Sequence, residues 1–216
     1  VESVEQFLYH VGREEKFNLL LGLLKREGGS RILIFTNTRE EARRLEDRLS
    51  RNGWVASALS GDVDQKKRLR ILADFKDGRL PVLVATDVAS RGLHIEGVSH
   101  VVNWDLPQDP EDYVHRIGRT ARMGAAGKAI SLVDEATALL LEPIEKFISQ
   151  RIAVEWAEDA LFLPEIKPTA EERRRYAEEK RRRRQALARP GDRRTGAPTY
   201  EPSGPRVPPS AVADAG

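Results

Sequence analysis

The residues most suited to chemistry lie in one basic run, Tyr113-Val-His-Arg-Ile-Gly-Arg-Thr-Ala-Arg122. Read as the end of a helix, it sets His115, Arg119 and Arg122 at i, i+4 and i+7 on one face. Two guanidinium forks aimed together suit a phosphate or carboxylate better than two ammonium groups would. A solvated basic helix with surface ion pairs has the same spacing, so the helix alone leaves both readings open. Thr86-Asp-Val-Ala-Ser-Arg-Gly-Leu93 gathers a hydroxyl, a carboxylate, an arginine and a glycine directly after an apolar run. Its hydroxyl and free backbone N–H groups could cradle a phosphate. A simple strand-to-helix turn with Asp87 as its cap fits equally. Thr36-Asn-Thr38, and Ser60-Gly-Asp62 leading into Asp64-Gln-Lys-Lys-Arg68, add further hydroxyls, a glycine and helix starts. Together these loops could follow a nucleic-acid backbone without reading bases; singly, each is explained by N-capping.

Several chemistries are excluded. There is no G-x-x-x-x-G-K-[ST] phosphate loop: Gly127-Lys128 is followed by Ala129 and precedes a strand-like run. No acidic pair is placed to hold Mg²⁺, so no metal site is expected. The chain offers an arginine finger without a nucleotide pocket, which implies a nucleotide held by another domain. The absence of cysteine rules out disulfides, thiolate metal sites and a cysteine nucleophile, and suits a reducing compartment. No apolar run reaches the ~18 residues that span a bilayer, and Val1 to Arg13 lacks the apolar core of a signal peptide. A cytoplasmic location without membrane association is expected.

The elements that must position these residues alternate between two hydrophobic periods. Strands are expected at Val4–Val11, Ile32–Phe35, Val55–Leu59, Val82–Ala85, Val98–Trp104 and Ala129–Val133. Helices are expected through Phe17, Leu20, Leu21 and Leu24, and from the Thr38/Glu41 capping box through Ala42, Leu45 and Leu49. Another runs over Asp64–Asp77 with Leu69, Leu72 and Phe75 inward, and another over Asp109–Arg119. A last helix spans Glu135 to about Gln150, interrupted or begun at Pro143, with Leu139, Leu140, Ile144, Phe147 and Ile148 inward. Buried strands alternating with helices predict an α/β fold, an open, mostly parallel sheet with helices on both faces. Ligands meet such sheets at the carboxyl ends of the strands, here the loops after Phe35, Leu59, Ala85 and Trp104.

Charge divides the chain. Residues 1–166 carry 23 Lys/Arg against 27 Asp/Glu, and residues 167–216 carry 13 against 7. Expected divisions are a domain at 1–150, an extension at 151–168 that packs on it or leaves it, and a basic tail at 169–216. The tail begins with a Thr169/Glu172 capping box and is expected to be partly helical, then largely disordered from Pro190. Arg173, Arg174, Arg175, Lys180, Arg181, Arg182, Arg183 and Arg184 make it a candidate for sequence-independent RNA attraction, or a solvated linker.

Five ordered motifs carry a resemblance. Leu33-Ile-Phe-Thr-Asn-Thr38, Gln65-x-x-Arg68, Thr86-Asp-Val-Ala-Ser-Arg-Gly-Leu93, Trp104-Asp-Leu-Pro107 and His115-Arg-Ile-Gly-Arg-Thr-Ala-Arg122 occur as in the C-terminal RecA-like domain of DEAD-box ATP-dependent RNA helicases. Gly92–Ile95, the Gln65–Leu72 run and the basic tail are similar to bacterial members. The resemblance implies that ATP with Mg²⁺ is bound mainly by a preceding N-terminal RecA-like domain in cis. It implies that Arg119 and Arg122 reach the γ-phosphate, that His115, Arg91 and Asp87 couple the domains, and that Gly92 and His94 lie near the nucleotide. His94 stands where most of the family has aspartate; an imidazole cannot supply a carboxylate's two acceptor oxygens. Ala121 replaces the usual glycine between the arginines, which suits a continued helix. RNA would contact Asn37, Thr38, Gly61, Gln65, Arg68 and Thr86, for local duplex unwinding in RNA turnover, and the domain alone would be inactive. The alternative is a non-catalytic RNA-binding and docking module for an endoribonuclease scaffold of an RNA-degradation assembly.

Overall fold

The computed structural model describes residues 4–28, 31–91, 95, 98–121, 127–175, 177, 178 and 181. The described residues divide into two units, one up to Pro168 and one from Thr169 on. The first is built on seven strands: β1 (Val4–His10), β2 (Ile32–Phe35), β3 (Ala56–Leu59), β4 (Val82–Ala85), β5 (His100–Asn103), β6 (Gly127–Val133) and β7 (Ala153–Glu155). Their order is β3-β4-β2-β5-β6-β1-β7, and every pair is parallel. Parallel neighbours need crossovers, supplied by α1 (Lys16–Glu27), α2 (Arg39–Arg51), α3 (Gln65–Lys76), the single turn α4 (Asp87–Ser90), α5 (Pro110–Ile117) and α6 (Leu141–Ile148). The open α/β sheet expected from the sequence is the observed one.

Strand periodicity sorts the core into faces. Ile32 and Ile34 join Val82, Val84 and Val102 beneath α1 and α2, while Leu33 and Phe35 join Leu83, Ala85 and Val101 on the side of α3. Both sets are fully buried, so these strands read as unbroken apolar runs rather than alternating ones. The helix starts follow local chemistry. The Thr38 hydroxyl accepts from the N–H of Glu41 at 3.1 Å, and Asp64 accepts from that of Lys67 at 3.0 Å. Gly28 ends α1 at φ +58°, donating to Leu24 O.

Three inward assignments are corrected. Leu69 is 59% exposed, because Ile71 and Phe75 carry the buried stripe of α3. Leu139 and Phe147 are also exposed. The expected helix from Glu135 begins only at Leu141, after a 3₁₀ turn at Ala138–Leu140, and Pro143 sits in its first turn where no amide donor is needed.

The extension after Ile152 adds β7, which pairs with β1 over Phe7–Tyr9. Its later part lies on α1 and α2. Leu161, Phe162 and Leu163 pack against that core, Leu163 donates its N–H to Asn18 O at 3.1 Å, and Glu165 takes two bonds from Arg48 at 2.8 and 2.7 Å. Those bonds hold the Glu165 carboxyl below the usual carboxylate range against its partial burial. A close approach makes the packing possible: a Cβ on Gly22 would stand 1.7 Å from Leu161 O. Gly22→Ala is therefore expected to destabilise the chain by about 1–3 kcal/mol, since backbone must move to admit the methyl. Urea denaturation measures this, and an unchanged midpoint would show that the 159–161 turn yields without cost.

In the second unit, Thr169 and Glu172 exchange the expected capping-box bonds at 2.7 and 3.2 Å, opening a helix through Arg175. Lys180, Arg182, Arg183, Arg184 and the segment from Pro190 lie outside the described residues; Arg173, Arg174, Arg175 and Arg181 are exposed.

Candidate functional site

Strands β3, β4, β2 and β5 are consecutive in the sheet, so the loops after Leu59, Ala85, Phe35 and Asn103 form one edge. All four loops singled out from the sequence meet there. Between α4 and α5 the edge opens into a cleft of about 180 Å³. Phe35 floors it, and Asp87, Arg91, Asp112, His115, Arg116 and Arg119 line it.

The organising residue is one that sequence reasoning missed. Arg116 is 1% exposed and spends its whole guanidinium inside the domain. Its Nε and Nη2 donate to the two Asp87 oxygens, both at 2.7 Å. Nη2 also reaches Asn37 Oδ1 at 2.9 Å, and Nη1 reaches Asp105 O at 2.6 Å and Asn103 Oδ1 at 3.3 Å. Its Cζ lies 5.1 Å from the centre of the Phe35 ring. A two-pronged carboxylate and three further acceptors compensate its loss of water. Tyr113 and Ile117 on the same helix are fully buried, so Arg116 occupies the apolar face of α5. That spacing was the available signal.

Around this hub the expected coupling residues are partly engaged. Arg91 pairs with Asp112, which raises the guanidinium's pKa, and His115 lies 3.8 Å from the same carboxylate while remaining exposed. Asp87 faces Arg116 rather than capping a helix through its side chain. Arg119 reaches the cleft by a different route from the one expected. Helix α5 stops at Ile117, and Arg119 and Thr120 sit in tight turns, their N–H groups bonded to Arg116 O and Ile117 O. The shared helical face of His115 and Arg119 is therefore replaced by a loop that Thr120 anchors through Val98 O at 2.6 Å. Ala121 has φ +54°, a left-handed conformation that a side chain disfavours, so it does not continue a helix. Gly92, His94 and Arg122 lie outside the described residues.

On the other flank, two buried polar atoms have no partner: Arg68 Nε and Thr86 Oγ1. Arg68 also donates to Ser60 O, at 3.3 Å. A buried donor without a protein partner is met in native folds by water, an ion or a ligand, or is held there under strain, and Gln6 Nε2 is a third such atom away from this edge. A Cβ on Gly61 would meet nothing, so its surroundings are open, and Gln65 is exposed on the first turn of α3. The Thr38 hydroxyl is occupied as the cap of α2. Asn37 lends its backbone N–H to Asp105 Oδ2 at 3.1 Å and its side-chain amide to Leu106 O at 2.9 Å.

Beneath the edge, the sequence also gave no hint of Lys16. The residue is 1% exposed, and its ammonium lies 2.8 Å from Asp134, 3.6 Å from Asp105 and 4.9 Å from the centre of the Trp104 ring. Burial alone would raise the Asp134 carboxyl, but the Lys16 bond outweighs it and the group lies below its ordinary value. Among the described residues, no three His, Asp or Glu side chains converge as a metal site. The donors at this edge are guanidinium, hydroxyl and imidazole, which fit phosphate oxygens better than a bare cation.

The helicase conserved C-terminal domain family matches residues 15–124. A crystal structure of the E. coli DEAD-box protein SrmB, bound to regulator of ribonuclease activity A, superimposes with a TM-score of 0.70 at 39% identity. That match covers 77% of this chain and 98% of SrmB's. This chain belongs to the helicase C-terminal domain family, in its DEAD-box branch. The ATP-dependent RNA helicase RhlB of Pseudomonas putida is 48% identical over 163 residues, which are 76% of this chain and 41% of that protein. S. cerevisiae Dbp5 bound to RNA and ADP BeF3 is similar with a TM-score of 0.66 at 36% identity, over 73% of this chain and 42% of Dbp5's. The helicase domain thus spans less than half the length of the curated relative it matches.

Proposed function

We propose that this domain is the second RecA-like half of an ATP-dependent RNA helicase acting in RNA turnover. The carrying observation is the pairing, along one sheet edge, of unpartnered donors at Arg68 and Thr86 with a cleft lined by Arg91, His115 and Arg119. The first group would hold RNA phosphates with Gly61, Gln65 and the Asn37–Thr38 loop, without base contacts. The second would face ATP held with Mg²⁺ by an N-terminal domain. Val88, 75% exposed on α4 beside the cleft, offers apolar surface to that domain. ATP supplies the phosphoanhydride whose cleavage lets the closed domains part. Arg119 and Arg122 would place positive charge on the transferring phosphoryl group, a reaction governed by positioning and charge. Arg116 cannot serve in that role, because Asp87 already neutralises it.

The chain of 216 residues alone is expected to hydrolyse no ATP. Joined to the N-terminal domain of its helicase, it is expected to gain hydrolysis that single-stranded RNA stimulates and DNA does not. Hydrolysis by the isolated chain, or equal stimulation by DNA, would overturn the reading. The docking alternative draws support from SrmB, whose matched chain is bound to a regulator of ribonuclease activity. Under that reading the joined protein would capture a degradation partner without turning over ATP.

A further inference from the structure

Asn37 is exposed at the tip of the β2–α2 loop, yet three of its polar groups are bound within the domain. Its backbone N–H goes to Asp105 Oδ2, its amide donates to Leu106 O, and its Oδ1 accepts from Arg116. Asp105 is in turn braced from below by the buried Lys16 ammonium at 3.6 Å. Arg116 is clamped to both oxygens of Asp87, the first residue of α4. Asp87 stands between Thr86, whose hydroxyl has no partner, and Arg91, which turns into the cleft toward Asp112. A continuous run of ion pairs and hydrogen bonds therefore links Lys16, Asp105, Asn37, Arg116 and Asp87. It joins the loop on the RNA flank to the wall of the nucleotide cleft.

Asn37 is the only exposed link in that chain, and its ends have different supports. The Lys16–Asp105 end is fixed to α1 and β6 through Asp134. The Arg116–Asp87 end rests on α5 and the short turn α4. Any displacement of the β2–α2 loop must either break the Asn37–Arg116 bond or carry the guanidinium with it. Because Arg116 holds Asp87 by two prongs, a carried guanidinium takes α4 along and so shifts Arg91. Coupling between sites can be carried by a contiguous network of hydrogen bonds and ion pairs, and these five residues form such a network.

We infer that Asn37 is a positioning residue whose side chain transmits RNA occupancy of the β2–α2 loop to Arg116, and through Asp87 to the arginines of the cleft. This rests on the functional reading above and deepens it, since it assigns the Asn37 side chain to coupling rather than to RNA contact. By linkage the effect is reciprocal: nucleotide at the cleft tightens RNA binding by the same factor.

The test compares Asn37→Ala with Asn37→Asp in the protein joined to its N-terminal domain. Asn37→Ala is expected to lower RNA-stimulated ATP turnover by about tenfold or more and to abolish the tightening of RNA by a non-hydrolysable ATP analogue. The KM for ATP without RNA should stay within about twofold, and nucleotide-free RNA affinity should fall far less than the coupling does. Asn37→Asp keeps an acceptor for Arg116 and should recover most of the coupling. In the 216-residue chain, the Arg116 Nε–H resonance should shift on adding a short oligoribonucleotide in the native protein and not in Asn37→Ala. A parallel fall in nucleotide-free RNA affinity would make Asn37 an RNA contact and overturn the inference, as would intact coupling or an unchanged Arg116 response. Loss of RNA stimulation in the native joined protein would instead remove the functional reading on which the inference stands.

Discussion

Replacing Arg119 or Arg122 with alanine in the two-domain protein is expected to cut RNA-stimulated ATP turnover by about 10³–10⁵-fold, the range an arginine finger contributes to phosphoryl transfer. RNA affinity should change little, because the unpartnered donors of the proposed RNA flank, Arg68 and Thr86, belong to other loops. The effect should fall on kcat more than on the KM for ATP, since charge on the transferring group is felt most in the transition state. Arg119→Lys should rescue only partly: an ammonium restores the charge but not the planar fork. The geometry strengthens the prediction for Arg119 in one respect. Arg119 lies beyond the last turn of α5, on a loop that Thr120 ties to Val98 O, and it lines the cleft. The measurement is steady-state hydrolysis at saturating RNA with RNA binding assayed in parallel. Unchanged turnover in both variants would remove the finger assignment, and an equal loss of RNA binding would relocate these arginines to the RNA site.

Much of the fold was legible in the sequence, for a specific reason. Strands such as Ile32–Phe35 and Val82–Ala85 are buried on both faces, so they carry no alternation and stand out as short apolar runs between turn residues. The four functional loops follow from that, because parallel strands put their carboxyl ends on one edge. What escaped depends on partners distant in sequence. Arg116 sits in a basic run and reads as one more surface cation; its burial needs Asp87, Asn103 and Asn37, which only the folded sheet brings together. Lys16 is the same case, with Asp134 lying 118 positions away. The helical face proposed for His115 and Arg119 failed because α5 closes at Ile117 and the chain turns through Arg119 and Thr120, a break that the charge spacing concealed. Leu69 and Phe147 were assigned inward by period alone, and a spacing of three or four fits adjacent helix faces, so it could not show that Ile71 and Phe75 carry the buried stripe of α3. Strand β7 has three exposed residues and no apolar run, so only its pairing with β1 identifies it.

The buried guanidinium at Arg116 carries the largest stability effect expected in this domain. Arg116→Met keeps the length and apolar stem of the side chain but removes every donor, leaving Asp87 without its partner and Asn37, Asn103 and Asp105 each short of one hydrogen bond. Breaking a buried ion pair from one side costs about 3–5 kcal/mol, mostly through the charge left behind. That is a large share of the roughly 5–15 kcal/mol by which domains are stable, so the variant should melt far below the native chain. Arg116→Lys should lie closer to Met than to the native residue, since one ammonium cannot bond both Asp87 oxygens and also reach three further acceptors. The cause is separable from lost packing. If the cost comes from the stranded carboxylate, Arg116→Met combined with Asp87→Asn should be less damaging than the two changes summed, with a coupling of about 1–3 kcal/mol in a double-mutant cycle. Urea unfolding of the 216-residue chain supplies all four corners of that cycle. Simple additivity would mean that Asp87, whose carboxylate is 21% exposed, is hydrated well enough to stand alone. The hub would then be a packing feature of α5 rather than an electrostatic clamp between the two flanks of the site.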